Sequence, residues 1–218
     1  AYHLYGMIVD RYPNILFEHC ASGGGRFDMG MLSYCPQIQA SDSNDAVERV
    51  FINYASTYGY PLSSIGSHAF SGALLPYYAK CAIALFGTYG YEMNPVNLNK
   101  EDIVQINEIA ELYKKYHLDC IQNGDLYRME SPYETNHMSM ICVAKNKEKA
   151  IAIFFNKRRE SNLSRFIKFD GLDDETLYQN SLDGKIYSGK QLRLVGINLI
   201  KWLEEFETIV ITFDKVEN

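Results

Sequence analysis

The chain has 218 residues, of which 47% are hydrophobic and 22% are charged, and its formal net charge is -6. This composition excludes an intrinsically disordered chain. The acidic balance argues against a nucleic-acid binder, and the densest basic run, KRR at residues 157–159, is followed directly by Glu160 and is better interpreted as a solvated loop. No apolar run approaches the ~20 residues that a membrane span needs. We therefore expect neither nucleic acid nor a membrane among the partners.

The cysteines limit the kinds of site that the chain can carry. Their number is odd, and no two form a Cys-x-x-Cys pair, so neither a disulfide framework nor a zinc site is indicated. Reduced thiols fit a cytoplasmic protein. The five cysteines are Cys20, Cys35, Cys81, Cys120 and Cys142.

The first part of the chain alternates short apolar runs with helical patterns. Alternation of this kind favours a parallel β/α arrangement. Because residues 1–6 resemble the middle of a helix, we expect a fragment whose N-terminal part is missing. The patterns predict a helix ending at Arg11, a strand at 15–18, a helix at 45–57, a strand at 62–68, a helix opening at 76–79 and an apolar run at 82–86.

The longest predicted helix covers residues 100–121, with Asn99 as its N-cap and Asn123-Gly124 at its end. After about residue 138, short β-rich runs are separated by Asn, Lys, Asp and Gly. Such spacing is typical of an antiparallel sheet or sandwich. A domain boundary is therefore expected within residues 131–137.

Chemistry is concentrated in two neighbouring blocks, FEHCASGGGRFD at residues 17–28 and PQIQASDSNDAVER at residues 36–49. In the first, a predicted strand runs into three glycines, which permit positive φ or close approach of the backbone. In the second, a loop supplies Asp42 and Asp45 just before a helix. In a β/α barrel, loops at the carboxyl ends of the strands form the active site.

Each of these residues also has a structural interpretation. Ser41 or Asp45 can simply cap the following helix, and Cys20 can be a core thiol. The glycines can form a plain turn, since the phosphate-loop patterns are absent. His68 can be a satisfied structural histidine. No metal-ligand spacing and no nucleophile elbow occur in the chain.

Together the two blocks resemble the α-galactosidases of glycoside hydrolase family 36. The resemblance continues through SSIGSH at 63–68, FGTYGYE at 86–92 and GDLYR at 124–128. It implies the C-terminal portion of a TIM (β/α)8 barrel over residues 1–130. An antiparallel β-sandwich domain is then expected over residues 138–218.

The resemblance also implies a reaction. Members of the family remove terminal α-galactose from raffinose-type oligosaccharides with retention, using two carboxyls ~5.5 Å apart and no cofactor. The acid/base role falls on Asp42. The expected substrate-binding residues are Cys20, Gly23, Gly24, Asp45 and His68.

The chain departs from the family in three respects. The Lys-Trp-Asp nucleophile sequence is missing, and the sole tryptophan is Trp202, so we expect no hydrolase activity from this polypeptide alone. Gln39 stands where the family usually has an aromatic Trp platform. The segment between His68 and Tyr91 is shorter than usual.

Other functions stay open on these residues. The chain can be a non-catalytic carbohydrate-binding or assembly module, or part of a related retaining hydrolase such as an α-N-acetylgalactosaminidase. Because members of the family often form oligomers, a homo-oligomer is also expected.

Overall fold

The computed structural model describes residues 1–20, 22, 23, 25, 27–72, 75–160, 164–200 and 203–216. The α-helices are Tyr2–Arg11 (α1), Ala46–Ser56 (α2), Tyr77–Leu85 (α3), Lys100–Leu112 (α4) and Gly189–Leu194 (α5). The strands of the first part are Glu18–His19 (β1), Gln37–Ile38 (β2), His68–Phe70 (β3) and Gly90–Glu92 (β4). Those of the second are Asp125–Glu130 (β5), His137–Val143 (β6), Lys149–Asn156 (β7), Ser164–Ile167 (β8), Leu177–Asn180 (β9), Ile186–Ser188 (β10), Ile197–Ile200 (β11) and Thr208–Lys215 (β12).

The first part contains parallel segments that neighbour each other in chain order. β1 pairs with β2, an isolated parallel bridge joins Ile38 to Ile65, and β3 pairs with β4. Helices separate these segments along the chain, and parallel strands need such crossovers. This is the arrangement of β/α units in a barrel.

Between Pro61 and Phe70 the structure differs from the sequence-based prediction. The predicted strand over 62–68 opens as a 3-10 turn at Leu62–Ser64, and β3 begins only at His68. For the following residues, the sequence predicts two separate elements, a helix opening at 76–79 and an apolar run at 82–86. They form the single helix α3, whose residues from Ala79 to Leu85 are all buried.

α4 begins at the predicted cap. The Asn99 side chain accepts from the Asp102 N–H at 2.9 Å, and the Asp102 carboxylate accepts from the Asn99 N–H at 3.0 Å. This reciprocal pair is a capping box. The helix then continues as a π-helix over Tyr113–Gln122. Helices of this type usually occur only as single turns.

The second part is a six-stranded antiparallel sheet of order β10-β9-β12-β7-β6-β5, accompanied by a two-stranded β8–β11 ribbon. The sheet begins at Asp125, because β5 pairs with β6. It therefore includes residues that the sequence-based division assigned to the barrel part.

The sheet is covered on both faces. One face, including Met140 and Ile153, packs with α2, α3 and α4. The other, including Ile141 and Phe154, packs with the β8–β11 ribbon and α5. Burial on both faces explains why every residue of β6, and every residue of β7 after Lys149, is buried. The predicted fold class, part of a β/α barrel followed by an antiparallel β domain, is confirmed.

Candidate active site

Asp42 lies on the loop between β2 and α2 and is exposed to solvent. The thiol of Cys20, just after β1, donates to the Asp42 Oδ1 across 3.5 Å. Because β1 and β2 are parallel neighbours, their carboxyl ends meet at one edge and bring these two loops together. Two residues of the predicted site are thus in direct contact.

Gly23 packs against the same carboxyl group. Its φ is +70°, and a Cβ placed there would lie 3.5 Å from the Asp42 Oδ2. A side chain would be strained at this φ, so glycine fits the position. Gly24, also predicted to contact sugar, lies outside the described residues.

Asp45 is the N-cap of α2. Its Oδ1 accepts from the backbone N–H of Val47 at 2.9 Å and of Glu48 at 3.0 Å. Two of the helix's unpaired donors are satisfied in this way. The capping interpretation therefore holds, and a sugar contact by Asp45 stays a prediction.

His68 has a carboxylate partner that the sequence reasoning missed. Its Nδ1 lies 2.5 Å from the Glu92 Oε1, and its side chain is only 15% exposed. The register places His68 opposite Gly90, where an added Cβ would come within 2.7 Å of the imidazole ring. Glu92 is the last residue of the FGTYGYE block at 86–92, and the resemblance of this block to the family was the sequence feature that could have indicated it.

Arg49 is a second residue that the sequence reasoning did not assign to the site. It lies on α2 and is 1% exposed. Its Nε donates to the Ser43 carbonyl at 2.7 Å, and its Nη2 donates to the Ser41 carbonyl at 2.5 Å. Burial lowers the pKa of the Arg49 guanidinium, and the nearby carboxylates of Glu92 and Asp42 oppose that shift.

Gln39 was expected to mark a lost aromatic platform for the sugar. The side chain is 7% exposed, and its Nε2 donates to the Ser41 carbonyl at 3.2 Å. It packs closely against Gly66, where no Cβ could be added without meeting the amide oxygen. Gln39 thus supports the Asp42 loop from inside the protein.

Within the described ranges, no group of three or more His, Cys, Asp or Glu side chains could hold a metal ion. In the same part of the chain, no helix has the length and apolar character needed to cross a membrane.

Residues 1–124 match the Melibiase family, and residues 137–213 match the glycosyl hydrolase family 36 C-terminal domain. The bifunctional alpha-galactosidase/sucrose kinase AgaSK of Mediterraneibacter gnavus is 33% identical, over 99% of this chain and 24% of that protein. The alpha-galactosidase Mel36A of Lactobacillus acidophilus is 34% identical, over 89% of this chain and 27% of that protein. The chain therefore spans about a quarter of the length of these relatives.

Solved structures of family 36 α-galactosidases also match the chain over nearly its full length. An alpha-galactosidase from Lactobacillus brevis superposes with a TM-score of 0.93 at 31% identity, covering 99% of this chain and 31% of that one. A variant of the family 36 enzyme AgaA from Geobacillus stearothermophilus, in complex with raffinose, superposes with a TM-score of 0.91 at 30% identity. It covers 98% of this chain and 30% of that one.

Proposed function

Because the chain belongs to glycoside hydrolase family 36, we propose that it supplies the acid/base part of a retaining α-galactosidase. This proposal rests on the hydrogen bond from Cys20 to Asp42, with Gly23 nearby, at the carboxyl ends of neighbouring parallel strands. That edge is where barrel enzymes place their chemistry.

In the proposed reaction, the Asp42 carboxyl gives its proton to the glycosidic oxygen while the bond from that oxygen to C1 breaks. A second carboxylate attacks C1 from the opposite face and forms a galactosyl-enzyme ester. The Asp42 carboxylate then takes a proton from water, which attacks C1 and releases α-galactose. Cys20, Gly23, Gly24 and His68 are proposed to contact the sugar.

The nucleophilic carboxylate is proposed to lie in a part of the protein outside these 218 residues, since no Lys-Trp-Asp sequence occurs here. Exposed apolar side chains on the elements before β1 support a further part that packs against them. α1 has no buried residue, and Leu16, just before β1, is 85% exposed. A Leu side chain left in water forfeits about 1.5–3 kcal/mol of burial free energy.

The proposed substrates are α-galactosides of the raffinose type. Support comes from the relatives, because AgaA variants have been solved in complex with raffinose and with stachyose. A homo-oligomer remains a prediction, which light scattering of the purified protein would test.

A cytoplasmic location is also proposed, and the thiols support it. All five cysteines are free, in keeping with a reducing compartment. Fractionation of cells that express the protein, followed by immunoblotting, would test this location.

The function is tested by expressing the 218-residue chain and the longer natural polypeptide that contains it. We expect the longer protein to hydrolyse p-nitrophenyl α-galactoside with α-galactose as the first product by NMR, and the short chain to be inactive. β-Galactose as the first product would contradict a retaining mechanism. A strong preference for the N-acetylgalactosaminide would favour the related hydrolase. Turnover by the short chain that Asp42→Asn abolishes would overturn the missing-nucleophile proposal.

A further inference from the structure

Arg49 is a buried cation whose donors go to backbone carbonyls. Among the described residues, it forms no ion pair within salt-bridge distance, although it is 1% exposed. Its Nη1 has no hydrogen-bond partner in that part of the chain. Taking a guanidinium out of water is costly, and here no bonded carboxylate offsets that cost. Such an arrangement calls for a reason beyond packing.

The two carbonyls that Arg49 binds belong to Ser41 and Ser43, the residues on either side of Asp42. A planar guanidinium donates through several N–H groups fixed in one fork, so it can hold two acceptors in a set geometry. The peptide groups on both sides of the proposed acid/base are therefore held in place by the buried Arg49 side chain.

Gln39 provides a second donor to one of these carbonyls. Its Nε2 donates to the Ser41 carbonyl, which thus accepts from both side chains. The Ser41 hydroxyl in turn accepts from the Ser43 N–H at 3.1 Å. The loop is consequently held at both neighbours of Asp42, while the Asp42 carboxyl itself faces Cys20 and solvent.

We propose that Arg49, assisted by Gln39, is a positioning residue that holds the Asp42 loop so that the carboxyl group can reach the glycosidic oxygen. This inference rests on the proposed function. Its chemical consequence is specific, because proton donation matters most when the leaving group is a poor one. A loop that has shifted should impair the cleavage of sugar–sugar bonds far more than the release of an activated phenol.

The test uses the longer polypeptide with two substrates, raffinose and 2,4-dinitrophenyl α-galactoside. Arg49→Lys keeps the charge but loses the fork, and Arg49→Gln loses both. For each we expect kcat/KM on raffinose to fall about 10- to 100-fold. On the activated substrate, kcat/KM should fall less than about threefold, since the phenol leaves without protonation.

Arg128 provides a matched control. It donates to the Thr57 carbonyl at the opposite end of α2, at 3.1 Å. Arg128→Lys and Arg128→Gln remove a guanidinium that donates to the C-cap residue of α2, away from Asp42, although Arg128 is more exposed than Arg49. We expect them to leave the ratio of the two kcat/KM values unchanged. Equal losses on both substrates in the Arg49 variants, or the same ratio change in the controls, would overturn the inference.

A milder variant covers the case in which Arg49 substitutions prevent folding, as judged by thermal unfolding. Gln39→Met keeps the side-chain volume but removes the donor to Ser41, and it should change the substrate ratio in the same direction. An unchanged ratio in a folded Gln39→Met protein would then count against the inference.

If the wild-type polypeptide lacks α-galactosidase activity, the proposed function fails. If wild type is active and only the ratio test fails, this inference alone is wrong.

Discussion

The Asp42 carboxyl is bordered by a thiol and by a backbone stretch that lacks a side chain. Cys20 donates to it across 3.5 Å, and a Cβ added at Gly23 would lie 3.5 Å from its Oδ2. A sugar that occupied this edge would displace water from around all three residues. Because Cys20 is the exposed cysteine, the rate at which its thiol is alkylated is a probe of the surroundings of Asp42.

Iodoacetamide should therefore label Cys20 selectively in the folded chain. The other four cysteines are buried, and burial raises the pKa of the Cys35 thiol and raises those of Cys81 and Cys120 to about 11 and about 12. Since the thiolate is the reactive form, buried thiols of this kind stay inert. Peptide mass spectrometry after brief treatment should find the adduct at Cys20 alone, and Cys20→Ser should remove it. Comparable labelling of a buried cysteine would contradict the structure.

Two contacts at this site could not be predicted from the sequence, although Glu92 and Arg49 both lie in the sequence blocks that resemble the family. Glu92 meets His68 only through the pairing register of β3 and β4, and Arg49 reaches the Asp42 loop only because one face of α2 turns inward. Neither relation has a local signature. The two blocks containing Cys20 and Asp42 were recognisable, since chemistry and spacing are both local there.

At the scale of elements, the start of α2 depends on a single carboxylate. Asp45→Ala should lower the free energy of unfolding by about 1–2 kcal/mol, because two backbone donors lose their acceptor. Asp45→Ser retains an N-cap oxygen and should lower the free energy of unfolding by only ~0.3 kcal/mol. Urea unfolding of the two variants measures the difference. Equal losses in both variants would contradict the capping role.

The same pair of variants separates capping from substrate binding. In the longer polypeptide, a raised KM for raffinose in the stable Asp45→Ser protein would support the predicted sugar contact. An unchanged KM would leave capping as the sole role of Asp45.

The helix that begins at Lys100 was predictable only in its first half. The capping box is formed by neighbouring residues and can be recognised in the sequence. The π-helix that follows depends on tertiary contacts, which the local sequence does not reveal. Buried His117 sits in that segment, and its Nε2 lies 2.8 Å from the Gly87 carbonyl. This contact ties the π-helix to the loop before β4, the strand that carries Glu92.

His117 should make stability depend on pH. Burial lowers its pKa, and the hydrogen bond with the Gly87 carbonyl opposes that shift. As the pH falls below about 6.5, the unfolded chain binds the proton before the folded protein does. The contribution of neutral His117 to the free energy of unfolding is therefore complete above about pH 6.5 and declines as the pH falls below that value. Between about pH 7.5 and about pH 5.5, His117→Gln should lose less unfolding free energy than wild type.

The exposed His3 is the control for this experiment. Chemical denaturation of His3→Gln at the same pH values should give the wild-type dependence. A wild-type dependence in His117→Gln would show that this histidine does not carry the effect.

At the scale of the whole molecule, the order of element types was predictable and the pairing was not. Alternating patterns indicated parallel units, and β-rich runs indicated an antiparallel sheet. The strand order β10-β9-β12-β7-β6-β5 has no local signal, because β12 inserts between β9 and β7 from far along the chain. β5 was missed as part of the sheet for the same reason, since its pairing with β6 becomes visible only in three dimensions.

The proposed role of Asp42 is tested most directly by azide reaction in the longer polypeptide. With 2,4-dinitrophenyl α-galactoside, Asp42→Ala should still form the galactosyl-enzyme ester, because the phenol leaves without an acid. Azide should then attack the ester from the face that Asp42 serves and yield α-galactosyl azide, with faster turnover. Formation of β-galactosyl azide would assign Asp42 as the nucleophile. No acceleration by azide would contradict its role as the acid/base.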